Sequence, residues 1–270
     1  MDQKFFADSH THSEHSFDGS EKVRSLASAA EKKGLYAITI SDHCECHEYF
    51  EKNVACDISA SAEDIITIRD EFEGRLIIRT GIELGQPTQD VKAAKDALSL
   101  AHYDFVLGSL HNLRGEQDFY FLRYPDAAAA QDLMDRYMTE LYELAKQDLF
   151  DSLAHIDYPL RYMKGEAGLE IKMSDYQEKL DAVLELLVRN DKALEINTSG
   201  LRQKIGRTLP DKTVLMRYRE LGGKLVTVGS DAHNAADVGS GIEQAYELLK
   251  ECGYDSAVFF TDRKPTLLPV

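Results

Sequence analysis

Short runs of β-branched and aromatic residues alternate with segments whose apolar positions recur every three or four residues, and this alternation persists through almost the whole chain. The short runs predict strands at Lys4–Ser9, Tyr36–Ser41, Leu76–Glu83, Asp104–Leu110, Ser152–Ile156, Ala193–Asn197 and Leu225–Ser230. A further apolar run, Ala257–Thr261, is expected to close the sheet. The periodic segments predict helices near Lys22–Lys33, Ala62–Phe72, Val91–Leu100, Ala127–Gln147, Tyr176–Asn190, Lys212–Leu221 and Gly241–Cys252. In the fifth helix Leu180, Val183, Leu184, Leu187 and Val188 share one face, which assigns them to the core, and the tyrosines and methionines of Met134–Tyr142 read the same way. Repeated strand-then-helix units predict a parallel α/β architecture. Their number, with no Pro- or Gly-rich linker between halves, predicts a closed (β/α) barrel in one domain over residues 1–270 rather than an open doubly wound sheet or two domains.

Composition adds few constraints. A chain of 270 residues buries one large core, and 43% hydrophobic with 29% charged residues is the balance of a soluble globular protein. The formal charge of −16 works against tight nucleic-acid binding, which needs several Lys or Arg side chains to neutralise phosphates. No nucleic-acid partner is expected. The start, MDQKFFADSHTH, holds no apolar stretch of signal-peptide length, and no uncharged run approaches bilayer-spanning length, so a cytoplasmic location without membrane association is expected. Cys44, Cys46, Cys56 and Cys252 are too few for a disulfide framework and suit a reducing compartment. Oligomeric state leaves no mark on the sequence.

The chemistry gathers where the predicted strands end. In order, these ends read Ser9-His10-Thr11-His12, Ser41-Asp42-His43, Gly81-Ile82-Glu83, Ser109-Leu110-His111, Ala154-His155-Ile156-Asp157, Glu195-Ile196-Asn197 and Ser230-Asp231-Ala232-His233, and they take six of the nine histidines. In α/β barrels the C-terminal strand ends converge on one face, where side chains distant in sequence share one site. His10 and His12 lie on alternate residues, so both imidazoles point to the same side and can grip one ion. Glu83 follows the apolar run LIIRTGI, and an acid at the top of a buried strand must be paired, protonated or bound to a cation. His111 and His155 would singly read as core histidines; with Glu83 they read as ligands. Asp231 and His233 repeat the alternate-residue geometry, and Asp18 lies in the loop after His12. Zinc-like ions take four or five donors, so this set implies two or three ions, with Glu83 placed to bridge. Histidine and carboxylate donors suit zinc, manganese and iron alike.

As an ordered set, HTHSEHSFDG, SDH, GIE, GSLH, AHID, EINTSG and SDAH resemble the polymerase and histidinol phosphatase (PHP) family, and within it the histidinol-phosphate phosphatases, over nearly the whole chain. That resemblance implies a distorted seven-stranded (β/α) barrel, TIM-like, with a trinuclear site at the C-terminal ends of the strands. It implies one ion held by His10, His12, Glu83 and Asp231, a second by Glu83, His111 and His155, and a third by Asp18, His43 and His233. His15 competes with Asp18 for the last position.

Three divalent ions against the carboxylates of Glu83, Asp231 and Asp18 leave a site of about +3, built for an anion such as a small-molecule phosphate ester. Bound metal lowers the pKa of water from 15.7 to roughly 7, which provides a nucleophile for phosphorus at neutral pH. Asp231 or His233 is the expected proton handler for the leaving group. Arg161 in DYPLRYMK and Arg202 in NTSGLRQK are candidates to clamp phosphate with planar forks. For L-histidinol phosphate, the acids Glu14, Glu45 and Glu166 are candidates to receive the ammonium and imidazole groups. Other phosphate esters (nucleotides, small metabolites, phosphotyrosine) are the alternative substrates. An amidohydrolase-type barrel would bridge its ions with a modified lysine, and no lysine ends a central strand. Asp42 and Asp157 are expected to support neighbouring ligands or to cap helices. The loop Cys44-Glu45-Cys46-His47 and His102 are expected to lie outside the metal chemistry.

Overall fold

The run Ala-Ile-Thr-Ile at 37–40 is buried at all four positions in the computed structural model, which describes residues 5–270, and Phe105–Ser109 and Ala193–Asn197 are buried throughout. Strands buried on both faces are what a parallel sheet covered by helices requires. In chain order they are β1 (Ala7–Asp8), β2 (Ala37–Ile40), β3 (His43–Glu45), β4 (Ile77–Gly85), β5 (Phe105–Ser109), β6 (Ser152–Leu153), β7 (Ala193–Asn197) and β8 (Val226–Gly229). Lys4, with which the first predicted strand begins, lies outside the described residues.

The pairing is parallel in the order β1-β2-β4-β5-β6-β7-β8. β3 continues β2 along β4 in the same register, Ala37–Ile40 facing Ile77–Thr80 and His43–Glu45 facing Glu83–Gly85. The two are one stave interrupted at Ser41–Asp42, so the barrel has seven. Backbone bonds close it: Ser9 N donates to Val228 O, Asp231 N to His10 O and His12 N to Ala232 O, each at 2.8 Å. Helices α1 (Val23–Lys32), α2 (Val54–Arg69), α3 (Val91–Ser99), α4 (Ala127–Ala145), α5 (Gln177–Arg189), α6 (Lys212–Glu220) and α7 (Ile242–Glu251) follow the staves. Leu180, Val183, Leu184 and Leu187 of α5 and Met134, Tyr137, Met138 and Leu141 of α4 are buried as their spacing requires.

Two elements depart from expectation. α2 starts at Val54, not Ala62, because the added stretch carries one large buried apolar side chain, Ile58, and therefore no apolar period. The extension matters, since it brings Ser61 to donate to Asp42 at 2.5 Å. The run at Ala257–Thr261 does not close the sheet. It forms β9 (Ser256–Thr261), which turns through Asp262 and Arg263, both at positive φ, into antiparallel β10 (Lys264–Pro269). Val258 and Phe260 pack on Phe105, Leu107, Ala154 and Ala193, and Phe259 and Leu268 on Ala7 and Ala37. This hairpin plugs the N-terminal end of the barrel with apolar groups and leaves polar chemistry to the other end. Among the described residues no helix is long and apolar enough to cross a membrane.

Candidate metal centre

Glu83 emerges from β4 wholly buried, and five imidazoles surround it. Its Oε2 lies 3.3 Å from His10 Nε2, 3.5 Å from His12 Nε2 and 3.0 Å from His43 Nδ1. Its Oε1 lies 3.2 Å from His111 Nε2 and 3.0 Å from His155 Nε2. Asp231 Oδ1 is 3.5 Å from His12 Nε2 and 3.8 Å from His10 Nε2. Asp18 spans the outer histidines, 3.6 Å from His43 Nε2 and 3.2 Å from His233 Nε2. The His12 ring stacks on His43 at 4.2 Å and on His233 at 4.3 Å. The fold thus gathers all nine residues singled out as ligands from six strand ends and one loop. His15, the competitor of Asp18, is turned away to Asp64 at 2.9 Å.

Four of the histidines have their other ring nitrogen engaged from behind. His10 Nδ1 meets Glu195 Oε1 at 2.6 Å, His111 Nδ1 meets Glu45 Oε1 at 2.9 Å, and His233 Nδ1 meets the Asp231 carbonyl at 3.0 Å. His12 Nδ1 lies 3.2 Å from Ser16 Oγ, which donates to Asp42 at 2.7 Å. A carboxylate or carbonyl on Nδ1 fixes the tautomer and leaves Nε2 with a lone pair. His10 Nε2, His12 Nε2 and Glu83 Oε2 are buried without a hydrogen-bond partner. Lone pairs facing lone pairs in a dry interior are costly unless a cation lies among them. His10, His12 and Glu83 bring ligand atoms within 4.8 Å of one another, as do His43, Glu83 and His111, and His12, His43 and His233. This donor set fits divalent metal.

The electrostatics agree. Burial opposes ionisation of Glu83, yet the charges of His10, His111 and His43 outweigh it and hold the carboxyl well below the usual range. At Asp231, burial is likewise outweighed by His10, His12 and Arg161. Burial, with His43 and His233 close by, pushes His12 down to about 3, the neutral form that ligates. His111 goes up to about 10, because Glu45 and Glu83 overcome its burial. Without metal the carboxylates draw protons onto neighbouring imidazoles, so the centre acquires positive charge by one means or the other. His155 at φ 22° and Asp231 at φ 55° both occupy left-handed backbone, uncommon outside glycine and asparagine-like residues and often found at functional sites. Asp8 steadies the Asp231 turn, accepting from Ser230 N at 2.8 Å, Ser230 Oγ at 2.6 Å and Gly239 N at 2.8 Å.

Residues 8–199 match the model of the PHP domain. The chain belongs to the PHP domain family. Its relatives include a probable histidinol-phosphatase of Clostridium acetobutylicum, 30% identical over 95% of this chain and 97% of the relative, and one of Thermotoga maritima, 29% identical over 92% and 93%. A crystal structure of histidinol phosphate phosphatase from Lactococcus lactis, complexed with zinc, L-histidinol and phosphate, superimposes with a TM-score of 0.76, covering 97% of this chain and 98% of that one. At 24% identity this last likeness carries the fold alone.

Within this PHP barrel several supporting residues differ from expectation. Glu45 is no free acid: besides His111 it accepts from Gln86 Nε2 at 2.5 Å and lies 3.5 Å from His43 Nδ1. Alternation along β3 puts His43 and Glu45 on one side, a signal the sequence carried. Glu195, which the sequence marked only as a strand-end acid, holds His10 and accepts from the backbone N of His155 at 2.8 Å. Asp42 supports the centre, taking Ser13 N at 2.6 Å and Ser13 Oγ at 2.7 Å. Asp157 does not: it pairs with Arg207 at 2.8 Å. Glu166 pairs with Lys204, and Glu14 is exposed. Cys44 and Cys46 are buried in the apolar core, and His102 is exposed beside Asp262 of the N-terminal plug.

Of the two arginines, Arg161 opens a π-helical turn, Arg161–Glu166, and reaches Asp231 Oδ2 at 3.1 Å and Ser199 Oγ at 2.8 Å. Arg202 Nη2 donates to the Ser230 carbonyl at 2.9 Å and the Asp231 carbonyl at 3.4 Å, with Asp237 3.5 Å from Nε.

Proposed function

We propose that the protein is a metal-dependent phosphomonoester hydrolase that converts L-histidinol phosphate and water to L-histidinol and phosphate. The observation that carries the hydrolase reading is one buried carboxylate, Glu83, ringed by five imidazoles at the mouth of a PHP barrel. The substrate follows from the relatives of Clostridium and Thermotoga, both named probable histidinol-phosphatases and both matching this chain nearly end to end. We read residues 1–270 as a single PHP-type domain.

Three divalent ions are assigned: His10, His12, Glu83 and Asp231 hold one, Glu83, His111 and His155 a second, and Asp18, His43 and His233 a third. Zinc, manganese and iron all suit these donors, and the Lactococcus neighbour was crystallised with zinc. When bound, such ions supply Lewis-acid stabilisation of phosphoryl oxygens and activation of water. The protein's own groups then do the following. Arg161, its guanidinium at Asp231, binds a phosphate oxygen on the metal-facing side. Arg202 holds the Ser230–Asp231 turn in place and offers its remaining donors to phosphate. Asp231 or His233, adjacent through His233 Nδ1 and Asp231 Oδ1 at 3.7 Å, passes a proton to the departing alcohol oxygen.

The test is a phosphatase screen of the metal-reconstituted protein, with L-histidinol phosphate against nucleotides and sugar phosphates. The expected result is the highest kcat/KM for L-histidinol phosphate. Preference for another ester overturns the substrate and leaves the hydrolase; absence of metal-dependent phosphate release overturns both.

A further inference from the structure

Asn197 ends β7 wholly buried, two residues after Glu195 on the same side of the strand, and it is neither a metal ligand nor a phosphate clamp. An antiparallel bridge fixes its backbone, whose N–H and carbonyl each exchange a bond of 2.9 Å with Leu209. Its Oδ1 accepts from Ser199 N at 3.0 Å and from Ser199 Oγ at 2.6 Å. A backbone N–H can only donate, so the atom facing it is the amide oxygen, and the amide nitrogen points the other way. There it donates to two carboxylates, Asp231 Oδ2 at 3.2 Å and Glu195 Oε2 at 3.3 Å. The side chain therefore ties a ligand of the centre to the acid that holds His10 Nδ1.

The same contacts sort the two oxygens of Asp231. Oδ2 accepts from Asn197 and, at 3.1 Å, from Arg161 Nη2, which fills its two lone pairs. Oδ1 is left on the side of His12 and His10. Held this way, Asp231 offers a cation one oxygen and takes up one coordination position rather than two, which leaves room for an anion. Ser199 does the equivalent for Arg161. Its single hydroxyl proton goes to Asn197 Oδ1, nearer at 2.6 Å than Asp231 Oδ2 at 3.2 Å, so its oxygen accepts from Arg161 Nη2 at 2.8 Å. With Nη2 anchored, Arg161 Nε is buried without a partner, a donor kept for phosphate.

We infer that Asn197 and Ser199 are positioning residues acting as one unit: the amide confines Asp231 to ligation through one oxygen, and the hydroxyl it orients steadies the Arg161 guanidinium for phosphate. The inference rests on the metal-dependent hydrolase reading. Its test uses zinc-reconstituted wild type, Asn197→Ala and Ser199→Ala. Zinc affinity is read by competition with a chromophoric chelator, and phosphate affinity as inhibition by inorganic phosphate of hydrolysis of the preferred ester. In Asn197→Ala zinc affinity should fall by about ten- to hundredfold, the usual loss when a group supporting a ligand is removed. In Ser199→Ala zinc affinity should stay at the wild-type value, while KM and the Ki for inorganic phosphate each rise by about tenfold and kcat changes less. Wild-type zinc affinity in folded Asn197→Ala overturns the inference. So does an unchanged Ki in Ser199→Ala, which decides alone if Asn197→Ala does not fold. An equal loss of zinc in both variants overturns it too, since mere loosening of the end of β7 would produce that. A wild type that takes no zinc from the chelator overturns the hydrolase reading as well, whereas a wild type that binds zinc beside unaltered variants overturns the inference alone.

Discussion

Glu195 Oε1 holds Nδ1 of His10 at 2.6 Å, and the same carboxylate takes the backbone N–H of His155 at 2.8 Å. One buried acid thus orients an imidazole and pins a left-handed turn on two separate staves. Outer carboxylates of this kind contribute through ligand orientation and basicity, and their loss commonly costs about 10–100-fold in metal affinity. Glu195→Gln is therefore expected to weaken metal binding by that order, measured by competition with a chromophoric chelator, with activity returning as metal is raised. An affinity equal to wild type would show that the 2.6 Å contact orients nothing.

Glu83 is expected to be the shared ligand of two ions. Glu83→Ala should return from dialysis with two fewer ions per chain by elemental analysis and no phosphatase activity. An unchanged metal content refutes the bridge.

Asp18 and His15 make opposite predictions although they are close in sequence. Asp18 faces His43 and His233, whereas His15 faces Asp64. Asp18→Asn should lose one ion equivalent and most of kcat, and His15→Ala should keep both. The reverse pattern would reassign the third position to His15.

Much of this centre was legible because the residues obey a strand's rules. His10 with His12, and Asp231 with His233, alternate at the ends of apolar runs, and a buried run followed by Glu83 left that acid few partners other than cations. The seven staves were legible for the same reason, since strands buried on both faces have no polar alternation to blur them. What was missed lies where one side chain's role depends on a distant backbone. Glu195 reads as an acid at a strand end until the pairing of β7 sets it against β1's histidine and β6's turn. Asp157 adjoins His155 in sequence, but the turn after β6 delivers it to Arg207 instead. The run at 257–261 is apolar enough for a stave; only the two-residue turn at Asp262–Arg263 sends it back as a hairpin.

That hairpin makes a stability prediction independent of the metals. Phe260 is buried and stacks on Phe105 with ring centroids 5.1 Å apart, at the end of the barrel remote from the ligands. Truncation of a buried phenylalanine costs about 3–5 kcal/mol, so Phe260→Ala should lower Tm by roughly 10 °C. Metal content per chain should stay at the wild-type value, since the plug touches no ligand. Loss of metal together with Tm would mean that the two ends of the barrel are coupled.

Removing metal should destabilise the protein from the other end. In the apo state His10, His12 and Glu83 direct buried, unpartnered atoms at one another, and protons on His10, His43 and His111 are left to compensate Glu83. An ion that binds only the native state adds RT ln(1 + [M]/Kd), about 4 kcal/mol at a thousandfold excess over Kd. Because Glu83 is shared, the contributions of the ions will not simply add. Even one such site corresponds to roughly 10 °C in Tm for a chain of this size. Calorimetry of the chelated and reconstituted protein should therefore show a Tm lower by at least that amount without metal, recovered on adding zinc or manganese. Coincident melting curves would mean that the folded protein does not retain divalent ions at this centre, and the assignment of its nine ligands would fall with them.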